Sequence, residues 1–427
     1  MSSELLAYLD GALWGTFRFT NGQVSFNYEP ERSDATPLSL SMNPRRGRHG
    51  NKPASAFLWG LLPDNREALQ NMAKAAGTSA GSLNGLLGHY GRDVAGALQL
   101  LPPDTPSTDA EAVDVRAGQS LTEGEVEGLL RQALEAYRQE QVLPGESFRF
   151  SVAGAQAKIA LTQRDDGAWL PPGVGVATTH LLKPVMTAEQ TWEDLDVVEQ
   201  ATMEAARRLG LNVAETALWT PSAGDLSVLV VKRYDREMRH NRVVRLHQED
   251  LCQALAVQPG KKYQHRAGGP GVGAIARLFV SAAPAHRRQL GQAFFEALVF
   301  NVGVLGTDAH AKNYSVMLRG NAVSLAPLYD LISAAAHLGN LQGLDEAFFP
   351  MSIDGEYAFE RMSLRGLVKE GVRLGLTRAE SEATVERILG GVRGAMTAAA
   401  EGLGQPELAQ RLDDGLSQLS LCTRVGA

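Results

Sequence analysis

The stretch VLGTDAHAKNYSVM, residues 304–317, carries an Asp, a His, a Lys and an Asn within the six positions from Asp308 to Asn313. Asp308 can take a proton from a hydroxyl, the Asn313 amide oxygen can face a hard cation, and the Lys312 ammonium can meet a phosphate. His310 is assigned to holding the loop in shape. A plainer alternative is that Asp308 and Asn313 only cap a helix end or the following turn, but that leaves the concentration of four polar groups unexplained.

The interval Asp308-x-x-x-x-Asn313 is the one a phosphoryl-transfer loop uses to orient a hydroxyl acceptor and hold magnesium. Seventeen residues after Asn313, in LAPLYDLISA, Asp330 ends a short apolar run. A second carboxylate there suits Mg2+, which takes a few carboxylate or amide oxygens and fills its shell with phosphate oxygens and water. The cation for ATP phosphates is sought in HLLKPV, where Lys183 ends an apolar strand and must aim its ammonium away from the core. Glu199, on the helix that follows, is its natural partner, with Glu193 and Glu204 as rivals. FSVAGAQAK offers Ser151, Val152, Ala153, Gly154, Ala155, Gln156 and Lys158 as a phosphate cover. It matches neither the Walker nor the Gly-rich kinase pattern, and its small residues permit close approach to phosphate or tight strand packing equally well. The strand SVLVVKRYDR leads into Lys232, Arg233 and Tyr234, where a lobe-connecting hinge would present backbone groups to adenine.

These residues need elements to aim them. QLGQAFFEALVFNVGVLG repeats Leu290, Phe294, Phe295, Leu298, Val299, Val302 and Leu305 at helical spacing, so a largely buried helix should deliver the 308–313 loop. Residues 4–29 read as short strands with hairpin signals at Asp10-Gly11 and Asn21-Gly22. From Ala54 to about Leu101 the pattern is helical, with a stop at Gly77. LPPDTPSTDAEAVDVRAGQS has linker composition. Thr122 and Glu125 then form a capping-box pair opening a helix with Val126, Leu129, Leu130, Ala133 and Tyr137 on one face. THLLKPV reads as a strand, DLDVVEQATMEAARRLGL as a helix, and the chain beyond residue 248 as mostly helical. Boundaries are expected to give 1–105, 106–236 and 237–427, a β-rich half followed by an α-rich half.

With 427 residues the chain can build two or three packed units, and a net charge of −7 argues against wrapping nucleic acid through its overall field. NPRRGRHGNKP is a local basic patch that reads most simply as a solvated loop. Cys252 and Cys422, far apart among apolar residues, predict no disulfide framework and fit a reducing cytoplasm. Neither a secretion signal nor a segment long enough to span a membrane is read from the sequence.

The sequence closely resembles the HipA family of bacterial serine/threonine kinase toxins. SVAGAQAK, HLLKP, EQATMEAARRLGL, VKRYDR, HQEDLCQAL, KKYQHRAGGPG, GTDAHAKNYSV, APLYDLISA and MSIDGEY carry the resemblance in family order. FLWGLLPDNREAL and GRDVAGALQLL look like the family's N-terminal subdomain, placed at 1–105. The resemblance implies an α+β fold of the two-lobed protein-kinase kind. It has a mixed α/β N-terminal lobe with the extra subdomain, and an all-helical C-terminal lobe. ATP and Mg2+ would sit between the lobes. By resemblance Asp308 is the catalytic Asp, Asn313 and Asp330 are magnesium ligands, and Lys183 is the ATP lysine. Residues 151–158 become the phosphate loop, and Ser151 an autophosphorylation site that shuts the kinase off. The implied substrate is an aminoacyl-tRNA synthetase, notably glutamyl-tRNA synthetase. The implied partners are a HipB-like helix-turn-helix antitoxin and, through it, operator DNA. Two other readings stay open: a small-molecule kinase, and a co-repressor with little catalysis.

Overall fold

The structure, a computed structural model, describes residues 3–32, 36–138, 157–186, 194–341, 344 and 347–424. It divides into two compact units, one drawn from residues 1–189, 215–249 and 317–321, the other from 190–214, 250–316 and 322–427. The phosphate-loop candidates Ser151 to Gln156, and Glu193, lie outside the described residues.

The first unit opens with strands β1 (Ser3–Leu9), β2 (Ala12–Thr20), β3 (Gln23–Tyr28) and β4 (Arg48–His49). Helices α1 (Asn51–Gly60), α2 (Arg66–Ala75) and α3 (Leu83–Tyr90) follow, then β5 (Leu98–Leu101). The sheet runs β4-β3-β2-β1-β5 and is antiparallel. Both expected hairpin turns form, with φ of 45° and 82° at Asp10-Gly11 and 52° and 75° at Asn21-Gly22, the positive pair a two-residue hairpin requires. Gly15 must lack a side chain, because a Cβ there would lie 2.3 Å from the Asn27 carbonyl oxygen and 2.6 Å from the Phe26 ring. Phe17, Phe26 and Phe57 fill the core behind it. The segment expected to be helical up to Leu101 instead closes as β5, paired with β1. All four β5 residues are buried, and a short run buried on both faces has no periodicity to separate strand from helix.

The expected linker is packed: Ala110 sits with Tyr8 and Leu101, and Val115 with Leu170, Ala177 and Val243. Helix α4 (Glu123–Arg138) begins with the Thr122–Glu125 capping box. Its Val126, Leu130 and Ala133 pack on Ile159, Leu161, Leu182 and Val228, whereas Tyr137 is 55 % exposed, off that face. Those four partners belong to a second sheet of β6 (Ile159–Gln163), β7 (Trp169–Leu170), β8 (His180–Met186), β9 (Thr216–Trp219) and β10 (Leu226–Lys232). Its order is β7-β6-β8-β10-β9.

A buried charge cluster joins the α3–β5 loop to this sheet. Asp93 accepts from the Thr178 amide at 3.1 Å and the Thr178 hydroxyl at 2.5 Å, and its other oxygen meets Arg236 at 2.9 Å. Arg233 pairs with Asp235 at 3.0 Å, and the Gly96 amide donates to Asp235 at 2.7 Å. Burial raises the Asp93 carboxyl, but Arg236, Arg233 and Arg245 outweigh it and hold the group at about 2.

The second unit is helical: α5 (Leu195–Arg208), α6 (Leu251–Ala254), α7 (Gln264–Ala267), α8 (Val272–Ala282), α9 (Arg287–Gly303), α10 (Leu364–Arg373), α11 (Arg378–Gly402), α12 (Pro406–Ser417) and α13 (Ser420–Arg424). Helix α11, opened by a Thr377–Glu380 capping box, packs against α5, α9, α10 and α12. Gly291 lets α9 approach α10 closely, since a Cβ would lie 2.3 Å from the Leu374 carbonyl oxygen. The helical region also carries a hairpin of Phe348–Ile353 and Glu356–Ala358, turned at Asp354-Gly355. No helix among the described residues is long and apolar enough to cross a membrane.

Replacing Asp93 by Asn should cost about 3–5 kcal/mol in urea unfolding, because it leaves buried guanidinium charge uncompensated. Since its folded value lies below the ordinary 3.8, the carboxylate contributes stability above about pH 4 and loses it as the pH falls toward 2. The wild-type acid-unfolding midpoint should therefore sit lower than it would without this ion cluster, and the Asn variant should lose that part of the pH slope.

Candidate active site

Helix α9 is buried nearly all round, with Leu290, Phe294, Phe295, Leu298, Val299, Phe300 and Val302 in the core. Each such side chain contributes about 1.5–3 kcal/mol of burial, so the end of the helix is a fixed point. Asn301 makes that end specific. Its side-chain nitrogen donates to the Ala297 carbonyl at 3.0 Å and to the Tyr314 hydroxyl at 3.1 Å, and its main-chain carbonyl accepts from the Gly306 amide at 2.7 Å. Tyr314 is itself buried edge-on against Phe294. Leu305 takes a left-handed φ of 56° in the turn out of the helix. Gly306 cannot carry a side chain, because a Cβ would meet the Asn301 side-chain oxygen at 2.7 Å.

The loop so anchored presents Asp308, whose side chain is 50 % exposed. Asn313 Nδ2 donates to the Asp308 carbonyl at 2.9 Å and lies 3.5 Å from Asp308 Oδ2, so the two residues paired by sequence spacing are neighbours. With its nitrogen engaged there, the Asn313 side-chain oxygen is the end left for a cation. Buried His310 brings Nε2 to 3.6 Å from Asp308 Oδ1, and its main-chain amide donates to the Asp308 carbonyl at 2.8 Å. Lys312 directs its ammonium to Asp250 at 3.1 Å, in a pair where both side chains are buried. Asp250 also caps α6 through the Gln253 amide. Tyr329 donates to the Lys312 carbonyl at 2.9 Å and lies 2.7 Å from the Ser315 hydroxyl. This ties the exposed Asp330, held at φ 50°, to the 308–313 loop through its chain neighbour.

In the first unit, Lys183 is buried on the central strand β8. Ile159 pairs with Leu182, so the register continued by one residue sets Lys158 opposite Lys183. Both lie on the face turned away from α4, since Ile159 and Leu182 pack toward it. The amide of Lys232 donates to Glu215 and that of Arg233 to Thr179. The Arg233 side chain belongs to the buried ion cluster, Lys232 pairs with Glu215 at 2.9 Å, and the Tyr234 hydroxyl donates to Gln248 at 2.8 Å. Glu204 pairs with Arg207 and Arg208, while Glu199 is buried within the second unit.

Two residues of this site had no role assigned from sequence. Tyr263 donates its hydroxyl to Asp308 Oδ1, and Asp250 holds Lys312. Both lay in the motifs KKYQHRAGGPG and HQEDLCQAL. An aromatic amid basic residues and a carboxylate before an apolar helix were the signals available.

A sheet-bearing unit followed by a helical unit, with an Asp–Asn loop at the end of a buried helix, defines a mixed α+β protein of the kinase-like class. The model of the HipA-like C-terminal domain matches residues 150–399 and that of the HipA N-terminal domain residues 5–101. The chain belongs to the HipA family, and it is a HipA-type serine/threonine-protein kinase toxin. Over 342 residues it is 37% identical to the putative kinase Y4mE of Sinorhizobium fredii, covering 78% of each chain. It is 29% identical over 342 residues to the serine/threonine-protein kinase toxin HipA of Shewanella oneidensis, covering 76% of this chain and 73% of that one. A solved complex of Shewanella oneidensis HipA, HipB and operator DNA contains a chain that superposes with a TM-score of 0.78. That match covers 98% of this chain and 97% of the other at 23% identity, and shows a shared fold.

The Lys312–Asp250 pair gives a direct test. Lys312→Met should destabilise the protein by about 3–5 kcal/mol, because a buried carboxylate loses its countercharge. Adding Asp250→Asn should recover part of that loss in a denaturation double-mutant cycle.

Proposed function

We propose that this kinase transfers the γ-phosphoryl group of ATP to a serine or threonine of a protein, an aminoacyl-tRNA synthetase and first of all glutamyl-tRNA synthetase, and so halts translation. The observation that carries the reading is Asp308 standing half exposed on a loop fixed at both ends by Asn301, with Asn313 bonded beside it. A carboxylate presented in this way accepts the proton of an incoming hydroxyl as that oxygen attacks the γ-phosphorus. Lys183, with Lys158 beside it in register, supplies positive charge for the ATP phosphates. The backbone of residues 151–158 covers those phosphates in this reading, and residues 232–234 border the adenine.

The donor set fits magnesium: one amide oxygen from Asn313 and one exposed carboxylate from Asp330, a pair that leaves coordination positions for phosphate oxygens and water. When bound there, Mg2+ neutralises phosphate charge. Asn313 also holds the Asp308 main chain in place through its amide nitrogen. The rate enhancement then comes from positioning and charge neutralisation, with no covalent enzyme intermediate.

We also propose that Ser151 is phosphorylated by the kinase itself and switches it off. A HipB-like helix-turn-helix antitoxin neutralises it and carries it to operator DNA. Both cysteines are buried free thiols, consistent with a reducing cytoplasm. What supports the partner reading is the Shewanella oneidensis relative, solved with HipB and operator DNA.

Asp308→Gln should abolish incorporation of labelled phosphate while leaving nucleotide binding within a few-fold of wild type. Retained incorporation would remove Asp308 from the role of base. Brief expression of wild type and the Asp308 variant, followed by phosphoproteomics, should give wild-type-only phosphosites on a synthetase and at Ser151. A full set of sites in the variant, or sites on small molecules alone, would overturn the substrate assignment.

A further inference from the structure

The segment KKYQHRAGGPG has no part in the transfer described above, yet it builds one wall of the site. Tyr263 Oη donates to Asp308 Oδ1, while Asn313 Nδ2 faces the other oxygen, Oδ2, at 3.5 Å. The phenol therefore occupies the carboxylate oxygen that an acceptor hydroxyl would use. Its ring meets His310 edge-on at 4.8 Å, and the Lys262 and Arg266 cations stand 5.5 and 5.8 Å from its centroid.

The segment is held to the rest of the unit on its far side. The Gly269 amide donates to the Tyr263 carbonyl at 3.1 Å, and a Cβ on Gly269 would lie 1.9 Å from the Lys261 carbonyl oxygen. His265 stacks on Phe348 at 4.9 Å, and the Gln264 side chain accepts from the Ser352 amide at 2.9 Å. A cavity of about 260 Å³ opens beside Asp308, lined by Tyr263, Arg266, Thr307, Phe348, Phe349 and Pro350 among others.

We propose that Tyr263 decides which hydroxyl reaches the base: its phenol keeps Asp308 Oδ1 from water although the carboxylate is otherwise half exposed, and the serine or threonine of a protein segment seated in the cavity displaces it. The proposal rests on Asp308 being the base. Water and an alcohol make the same hydrogen bond to a carboxylate, so the carboxylate alone cannot choose between them. A polypeptide segment gains contact with the half-buried Phe348 and the other walls of the cavity that offsets the loss of the Tyr263 bond, whereas a water molecule gains none. In productive transfer the acceptor oxygen bonds to the γ-phosphorus as the bond to the β-bridging oxygen breaks. ADP leaves, and the hydroxyl proton passes to Asp308 and then to solvent. With water in the acceptor's place, the same bonds exchange and inorganic phosphate is released.

The test is release of inorganic phosphate from γ-labelled ATP by the full chain, with magnesium and no added protein acceptor. Tyr263→Phe, which keeps the ring against His310, should raise hydrolysis about tenfold or more, the scale of one hydrogen bond to a charged group. Tyr263→Leu should raise it too, which guards against misreading a folding defect in a single variant. The increase should vanish in Tyr263→Phe combined with Asp308→Asn. Hydrolysis unchanged or lowered in both Tyr263 variants, with Asp308→Asn alone still abolishing transfer, would overturn the role of Tyr263 and leave the base assignment standing. Raised hydrolysis that survives Asp308→Asn would overturn the base assignment and this proposal with it.

Discussion

One buried residue, Asn301, fixes the 308–313 loop from both ends. Its side-chain nitrogen is bonded back into its own helix and across to Tyr314 where the loop closes, and its main-chain carbonyl accepts from Gly306 where the loop begins. An amide is the side chain that can do this, because it donates two hydrogen bonds and carries no charge to be neutralised in the core. The glycine at 306 and the left-handed Leu305 follow from it, since the chain must pass directly over that amide. The position of Asp308 is thus set by the packing of α9, and its mobility by the hydrogen bonds of a residue that touches no substrate.

Charge in this protein falls into two regimes. At the 308–313 loop the Asp308 carboxylate, the proposed base, is half exposed, while its cationic neighbour Lys312 is turned inward onto Asp250. The ammonium thus stabilises the loop from below without competing for the acceptor. In the first unit the cluster around Asp93 is sealed from solvent and its ionised groups meet several partners, the condition under which buried charge is tolerated.

Local signals in the sequence were sufficient where structure is local. The Asp-Gly and Asn-Gly turns, the Thr122–Glu125 capping box and the apolar period of α9 each depend on a few adjacent residues, and each appears in the fold. The interval from Asp308 to Asn313 was legible for the same reason. Residues 98–101 were not, because four buried residues carry no period. The hairpin after Phe348 was passed over although its Asp354-Gly355 turn repeats the signal read at Asp10-Gly11, with helix assigned to the whole region around it. Tyr263, Asp250 and Asp93 meet their partners across 45, 62 and 143 residues. Nothing in a single sequence links residues so far apart except the fold itself.

The ion cluster around Asp93 has a consequence for how this chain could be divided. Severed near residue 105, the N-terminal piece would keep Asp93 and the larger piece would keep Asp235 with Arg233, Arg236 and Arg245. Each fragment would then carry an unbalanced charge of opposite sign where the two now meet. The two pieces would recognise each other by the same contacts that now lie inside one polypeptide. A covalent link at this point is thus a matter of local concentration rather than of complementarity.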